Sequence, residues 1–182
     1  MVTWYNYTIN ANKTPKNMKK SNIPITHPET VIGHVHLTVA DLERSLGFYR
    51  DILGFEVTTG YGDSAVFLSA GGYHHHIGLN TWAGRGATPP AKGHSGLFHF
   101  AILFPSRKEL ATVLKRLIDA GYPLTGMADH GVSEAIYLND PDDIGVELYA
   151  DRPKKTWKVK NDGQVEMVTE PLDVNDLLGE LN

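Results

Sequence analysis

Three consecutive histidines, His74, His75 and His76, stand in the middle of the sequence and run directly into an apolar segment. Imidazole side chains titrate near neutral pH and are common metal ligands, so such a cluster suits acid–base catalysis or metal binding. The chain contains no cysteine, so a metal would have to be held by imidazole, carboxylate or other oxygen ligands. The same absence excludes disulfides, thiol nucleophiles, zinc fingers and iron–sulfur clusters.

The composition of the 182-residue chain is that of an ordinary globular protein, with 41% hydrophobic residues, 21% charged residues and a formal net charge of −4. A weakly negative chain gives no electrostatic reason to expect nucleic acid or an anionic membrane as a partner. The first residues lack the basic and then apolar pattern of a signal peptide, and no later run is long and apolar enough to cross a bilayer. We therefore expect a cytoplasmic protein.

The elements that must position these histidines begin near residue 31. Over residues 31–39, apolar side chains alternate with His34 and His36, which predicts a strand with one apolar and one polar face. Residues 40–53 carry apolar side chains at helical spacing and are followed by Gly54, which predicts an amphipathic helix. Three strand-like runs follow, at residues 55–59, 64–68 and 74–80. The expected order is βαβββ.

The same order of elements returns in the second half of the chain. A strand is predicted at residues 97–104 and a helix at residues 106–120, and His99 occupies the position that His34 occupies in the first copy. Three more strands fit residues 124–127, 134–138 and 145–149. We expect an α+β fold in which two βαβββ units, about 31–80 and 97–150, each supply one wall of a shared cleft.

The segments outside the repeat carry weaker signals. Residues 1–30 have no apolar periodicity and predict an N-terminal arm, whereas residues 151–182 form a polar tail with a short helix expected over 171–181. This helix would pack on the core or on a neighbouring subunit. The loop at residues 81–96 is long for a connection between strands, and would cover the cleft or contact a second subunit.

Three segments resemble the vicinal oxygen chelate superfamily. They are HVHLTVADL at residues 34–42, SLGFYRDILGF at residues 45–55 and NDPDDIGVELY at residues 139–149. The superfamily includes glyoxalase I, extradiol ring-cleaving dioxygenases, fosfomycin resistance enzymes and metal-free bleomycin resistance proteins. The resemblance covers residues 31–150 and implies a curved mixed sheet, built from the two units, around a metal-binding cleft.

The resemblance also implies a set of metal ligands. Members carry ligands on the first and last strands of their units, and the matching positions here hold His34, His99 and Glu147. Two imidazoles and one carboxylate form the facial triad that suits non-haem Fe(II), and Mn(II) accepts the same ligands. Adjacent coordination positions would remain for a chelating substrate and for O₂. The alternative is that these are strand histidines bonded to the backbone and a carboxylate exposed at a strand end.

The resemblance further implies three catalytic residues. Glyoxalase I would carry a fourth ligand on the strand of the triple histidine, whereas extradiol dioxygenases place an acid–base histidine there, and that match falls on His75. Their substrate-binding histidine and tyrosine match His130, which requires a small gap, and Tyr137. Strand alternation would point His75 to the side of Ile77 and Leu79. His74 and His76, on the other side, would be surface residues or hydrogen-bond partners of the site.

A catechol suits these metal ligands and catalytic residues because its two adjacent hydroxyls can chelate a metal ion. The charge of the metal lowers the pKa of these hydroxyls, and a neutral imidazole can accept the proton that they release. We therefore expect an extradiol ring-cleaving dioxygenase that acts on a small aromatic diol with O₂. Two alternatives stay open: a non-oxidative metal-dependent enzyme, such as a fosfomycin-type transferase or a glyoxalase-like isomerase, and a metal-free small-molecule binding protein. The best-known extradiol enzymes have four units, so the pocket here would be formed by the two units present, by the tails or by a partner chain. Members of the superfamily often form dimers, so a homodimer is one assembly that the resemblance allows, but the sequence does not give the oligomeric state.

Overall fold

The computed structural model describes residues 25–91 and 93–182. Backbone contacts divide the chain at Gly33, and the part from His34 to Asn182 contains every strand and helix of the described residues. Most of the predicted N-terminal arm, residues 1–24, lies outside the described residues. No helix of the described residues is long and apolar enough to cross a membrane.

The first unit has the predicted βαβββ order. Its helix begins after Asp41, whose carboxylate accepts a hydrogen bond of 2.9 Å from the Arg44 N–H. The predicted single helix is regular only at its start and then widens into a π-helical turn. The elements are β1 (Val35–Thr38), α1 (Leu42–Leu46), the π-helical turn (Gly47–Ile52), β2 (Glu56–Tyr61), β3 (Ala65–Ser69) and β4 (Ile77–Asn80). The sheet order is β1-β4-β3-β2, with β1 parallel to β4.

The second unit repeats this topology, which confirms the predicted duplication. Its helix is capped by Ser106, whose hydroxyl accepts from the Glu109 N–H at 3.3 Å. The elements are β5 (Phe100–Phe104), α2 (Arg107–Asp119), β6 (Gly126–Asp129), β7 (Ser133–Asn139) and β8 (Gly145–Asp151). The sheet order is β5-β8-β7-β6, so the fold consists of two four-stranded mixed sheets.

The registers of the two sheets correspond residue by residue. In the first, Val35 pairs with Ile77, and in the second, Phe100 pairs with Val146. His34 and His99 each precede these paired residues by one position, so their predicted equivalence is confirmed. One step further, His36 pairs with Gly78 and Ala101 pairs with Glu147. The position that carries a carboxylate in the second unit therefore carries a glycine in the first.

The helical segment of the first unit packs against the second unit within one hydrophobic cluster. The ring of Phe48 stacks on Tyr122 at a centroid distance of 4.8 Å. The fully buried Tyr49 donates a hydrogen bond of 2.8 Å to the Asp140 carboxylate, and burial together with Asp140 raises the pKa of Tyr49. Arg44 pairs with Asp142 in the same turn. These contacts fix the turn from which β8 starts.

The tail carries the predicted short helix, and this helix packs on the core rather than standing free. Helix α3 (Val174–Gly179) lies against α2 with Leu177 fully buried. Arg107, at the start of α2, forms ion pairs with Glu134 at 2.7 Å, with Asp176 at 2.6 Å and with Glu180. The C-terminal residues are thereby anchored to the second unit.

Candidate active site

The second unit brings together two of the three predicted metal ligands. His99 directly precedes β5, and Glu147 lies on the neighbouring strand β8. The Nε2 atom of His99 is 3.0 Å from the Oε2 atom of Glu147, and the side chains are 32% and 13% exposed. Both residues thus present donor atoms at one accessible point of the sheet.

Tyr137 and His130 extend this pair into a continuous network. Tyr137 on β7 pairs directly with Glu147 in the sheet, and its hydroxyl donates to Oε1 at 3.1 Å. His130, in the turn between β6 and β7, has its Nε2 atom 2.8 Å from the same hydroxyl. Burial and then the charge of Glu147 raise the pKa of Tyr137, which keeps the phenol protonated. The structure thus joins His130 and Tyr137, as expected, and links both to a predicted ligand.

The first unit brings together His34 and His75. Their ring centroids lie 4.4 Å apart, and the ring of Phe67 packs on His75 at 5.0 Å. The Nδ1 atom of His74 is 2.7 Å from the Nδ1 atom of His75. Loss of water contact and then the neighbouring imidazoles, His34 first, lower the pKa of His75 below the usual 6.5. The lowered pKa favours the neutral imidazole, which is able to accept a proton.

The predicted strand over residues 74–80 is wrong at its beginning. Strand β4 starts at Ile77, and the chain bends at His74 and His76. Strand alternation therefore does not reach His75: the side chains of Ile77 and Leu79 are buried in the core, whereas the His75 ring lies beside His34. The prediction that His75 shares the side of Ile77 and Leu79 fails because it assumed an extended backbone.

His76 holds the end of this bend in place. Its Nδ1 atom accepts a hydrogen bond from the Ala70 N–H at 3.3 Å and lies 3.1 Å from the Ser69 hydroxyl. His74, by contrast, is exposed and contacts His75 directly. The three histidines therefore have three different surroundings, and His75 is the one that faces a predicted ligand.

The glycine at the position equivalent to Glu147 is covered by an imidazole. A Cβ atom at Gly78 would lie 2.9 Å from the ring of His36, which packs between Trp82 and Phe67 at 5.3 and 5.6 Å. Any larger side chain would force His36 to move. The first unit thus offers no carboxylate at the position where the second offers Glu147, and a fourth ligand of the glyoxalase I kind has no counterpart at Gly78.

The predicted ligands are divided between the two units. Among the residues that the structure describes, no group of three histidine, aspartate or glutamate side chains lies close enough to hold a metal ion. His99 and Glu147 form one half of the predicted set, and His34 belongs to the other half. A cavity of about 760 Å³ lies beside α1, lined among others by Arg44, Val66 and Arg85, and none of the candidate residues lines it.

One hydrogen-bond partner of the site residues is a backbone carbonyl group, which residue types in the sequence do not reveal. The Nδ1 atom of His130 lies 2.8 Å from the backbone carbonyl oxygen of Val168 in the tail. A carbonyl belongs to every residue, so residue types could not have pointed to it. The proximity of His36 to Gly78 was also missed, because it results from the pairing of β1 with β4, which residue types alone do not specify.

Residues 31–148 match the Glyoxalase/Bleomycin resistance protein/Dioxygenase superfamily. The chain belongs to this superfamily, as its two βαβββ units and the three motifs in residues 34–55 and 139–149 lead one to expect. A solved glyoxalase/dioxygenase from Nostoc punctiforme has the same fold, with a TM-score of 0.59 and 17% identity over 73% of this chain and 100% of that one.

Two curated relatives are named as dioxygenases. The chain is 44% identical over 154 residues to catechol-2,3-dioxygenase of Bacillus subtilis (strain 168), which covers 85% of this chain and 53% of the relative. It is 31% identical over 121 residues to biphenyl-2,3-diol 1,2-dioxygenase 3 of Rhodococcus globerulus, which covers 66% and 63%. The matched region spans less than two thirds of either relative.

Proposed function

We propose that this chain is an extradiol ring-cleaving dioxygenase that acts on a catechol-type substrate with O₂. The observation that carries the proposal is the connected set His99, Glu147, Tyr137 and His130, in which a neutral phenol stands between a carboxylate and an imidazole. The 44% identity with a protein named catechol-2,3-dioxygenase supports the same chemistry.

We propose His34, His99 and Glu147 as ligands of a divalent metal, Fe(II) or Mn(II). Two imidazoles and a carboxylate suit either ion, and the donor atoms of His99 and Glu147 already converge. When bound, such an ion lowers the pKa of a coordinated hydroxyl and provides the site at which a diol and O₂ can meet.

We propose that a second copy of the chain supplies the missing ligand. His34 and His99 occupy equivalent positions in the two units, so a two-fold axis can bring His34 of one copy to His99 and Glu147 of the other. Next to His99, the side chains of Leu97 and Phe98 are 59% and 89% exposed, which is unusual for large apolar groups and suits coverage by a partner. All residues of the edge strand β2 are also exposed.

The remaining residues have roles that follow from their protonation. Tyr137 keeps its proton at neutral pH, so its hydroxyl can hold a substrate oxygen by a hydrogen bond. A lowered pKa favours the neutral form of His75, whose unprotonated ring nitrogen can take a proton from a substrate hydroxyl and return it later in the reaction. His130 contacts the Tyr137 hydroxyl and orients it.

The decisive experiment is anaerobic metal analysis, followed by oxygen uptake and absorbance with a panel of catechols after addition of Fe(II) or Mn(II). We expect oxygen consumption matched by a yellow ring-fission product. Metal bound without oxygen uptake on any catechol would overturn the proposal in favour of a non-oxidative enzyme. Stoichiometric ligand binding without a metal requirement would overturn it in favour of a binding protein.

A further inference from the structure

The tail returns to the second unit at residues 168–170, which we call the tail segment. Here the Val168 N–H donates to the backbone carbonyl of His130 at 3.1 Å. Two residues on, Asp129 and Glu170 exchange a pair of backbone hydrogen bonds of 2.8 and 2.9 Å. The tail segment therefore lies along the edge of the sheet at the turn that carries His130.

The chain is anchored to the second unit on the C-terminal side of the tail segment and folds back on itself on the N-terminal side. Towards the C-terminus, α3 is fixed by the buried Leu177 and by the ion pairs of Arg107 with Asp176 and Glu180. Towards the N-terminus, a bridge between Val159 and Val165 closes a small hairpin. The anchors lie outside the tail segment itself, so its backbone can be perturbed locally while the helix stays docked.

The contact of the tail segment with His130 determines which ring nitrogen carries the proton. The Val168 carbonyl can only accept, so the Nδ1 atom at 2.8 Å must be the donor. In the neutral ring, Nε2 is then an acceptor, and it faces the Tyr137 hydroxyl at 2.8 Å. The single hydroxyl proton of Tyr137 then has two acceptors: Oε1 of Glu147 at 3.1 Å, to which the hydroxyl donates in the structure, and Nε2 of His130 at 2.8 Å, which competes for the same proton.

We propose that the tail segment is a positioning element of the site, in which the Val168 carbonyl fixes the tautomer and orientation of His130 and, through it, the hydroxyl of Tyr137. The catalytic part of this inference rests on the proposed function, whereas the tautomer does not. A His130 ring held in one orientation presents the phenol oxygen of Tyr137 in a defined direction.

The turn beside His130 carries a glycine where the tail segment packs against it. Gly131 has a positive φ of 74°, and a Cβ atom there would lie 3.4 Å from the Cγ2 atom of Val168. The Asp129 carboxylate accepts from the Gly131 N–H at 2.8 Å and completes the turn. In the corresponding edge strand of the first unit, β2, every residue is exposed. The tail thus covers the edge of the unit that carries Tyr137.

The first test measures the tautomer of His130 directly in the metal-free wild-type chain. Histidine-selective ¹⁵N labelling and NMR give the protonation of each ring nitrogen, and His130→Gln identifies the signals by their loss. We expect neutral His130 to carry its proton on Nδ1. A proton on Nε2 would overturn the proposal, and this outcome is independent of any dioxygenase activity.

The second test perturbs the tail segment with a matched pair of variants. Glu170→Pro removes the N–H that bonds to Asp129, whereas Glu170→Ala removes the side chain and keeps that bond. We expect the proline variant to lose the single tautomer and to lower kcat about fivefold to tenfold, as loss of one oriented hydrogen bond would, with bound metal unchanged. The alanine variant should behave as wild type.

The folding of the Glu170→Pro variant and the oxygen uptake of the wild type distinguish failure of the tail-segment proposal from failure of the proposed function. A Glu170→Pro variant that folds with its His130 signals and kcat unchanged would overturn the role of the tail segment. If this variant fails to fold in a thermal melt, the tautomer of the wild-type chain decides alone. Absence of oxygen uptake in the wild type would refute the proposed function and leave the tautomer result valid.

Discussion

The Nε2 atom of His99 lies 3.0 Å from the Oε2 atom of Glu147, across the neighbouring parallel strands of the second unit. An imidazole nitrogen and a carboxylate oxygen at this distance are close enough to bind a common ion. His34, the counterpart of His99 in the first unit, lies beside the imidazole of His75 instead of a carboxylate. Because the proposed metal ligands are divided between the two units, hybrid dimers can test whether two copies of the chain form one metal site.

Mixed dimers of two inactive variants should recover one metal site. His34→Ala and Glu147→Ala should each abolish one-per-chain metal binding, because each removes a proposed ligand. In a hybrid of the two, one of the two sites would combine His34 of one copy with His99 and Glu147 of the other. We therefore expect one metal ion per two chains, measured by elemental analysis of co-expressed, doubly tagged protein. Hybrids without metal would refute assembly of the site from two copies.

Substitution of His75 should separate metal binding from turnover. His75→Ala or His75→Asn removes the neutral imidazole beside His34 but none of the proposed ligands. We expect metal content to be retained and kcat to fall by about two to four orders of magnitude, the usual size of acid–base catalysis. The control is His94→Ala in the exposed loop, which should have no effect. Wild-type turnover in the His75 variants would remove this residue from the mechanism.

Tyr49→Phe should weaken the fold rather than the chemistry. The substitution removes the hydroxyl that donates to the buried Asp140 at 2.8 Å and leaves that carboxylate with fewer partners. We expect a loss of about 1 to 3 kcal/mol in the free energy of unfolding, measured by urea titration. Tyr73→Phe, at a half-exposed position, is the matched control and should change little. Equal stability of both variants would contradict the importance of this bond.

The stability conferred by Asp129 should depend on pH. Burial raises the pKa of this carboxyl, but the hydrogen bonds from Arg152 and from the Gly131 N–H outweigh it, so the pKa is lowered overall. A lowered folded-state pKa stabilises the protein above the unfolded value, about 3.9, and this contribution is lost as the pH falls through the folded value. Asp129→Asn should therefore destabilise the chain at pH 7, and the difference from wild type should shrink towards pH 3.

Urea titrations of both proteins at the two pH values measure this difference. Asp119→Asn, in an exposed ion pair with Lys115, provides the control and should show little dependence on pH. A destabilisation by Asp129→Asn that is the same at pH 7 and pH 3 would show that the carboxylate charge is not what stabilises the fold.

Much of the fold was predictable because its signals are local. Strand alternation around Leu37 and helical spacing in residues 106–120 depend on neighbours within a few residues, and both patterns were confirmed. The bend at His74 and His76 was not predictable, because it involves hydrogen-bond contacts of His76 with Ser69, at the end of β3, and with Ala70.

The site was predictable in its residue types and only partly in its geometry. Glu147 and Tyr137 are neighbours because β7 and β8 pair, and a short connection between consecutive strands favours such pairing. The contact of His130 with Val168 joins residues 38 positions apart through a backbone oxygen, for which no residue type gives a signal. The ligand role of His34, His99 and Glu147 stays a prediction.

The bond between Tyr49 and Asp140 also bears on how the molecule unfolds. Because the helical segment of one unit and the final turn of the other share one hydrophobic cluster, neither unit retains a complete interior when separated. The duplicated halves should melt in a single cooperative transition, and a fragment that ends between them should not refold. The two copies of the repeat share a topology, but we expect them to fold as one cooperative unit and not as two independent domains.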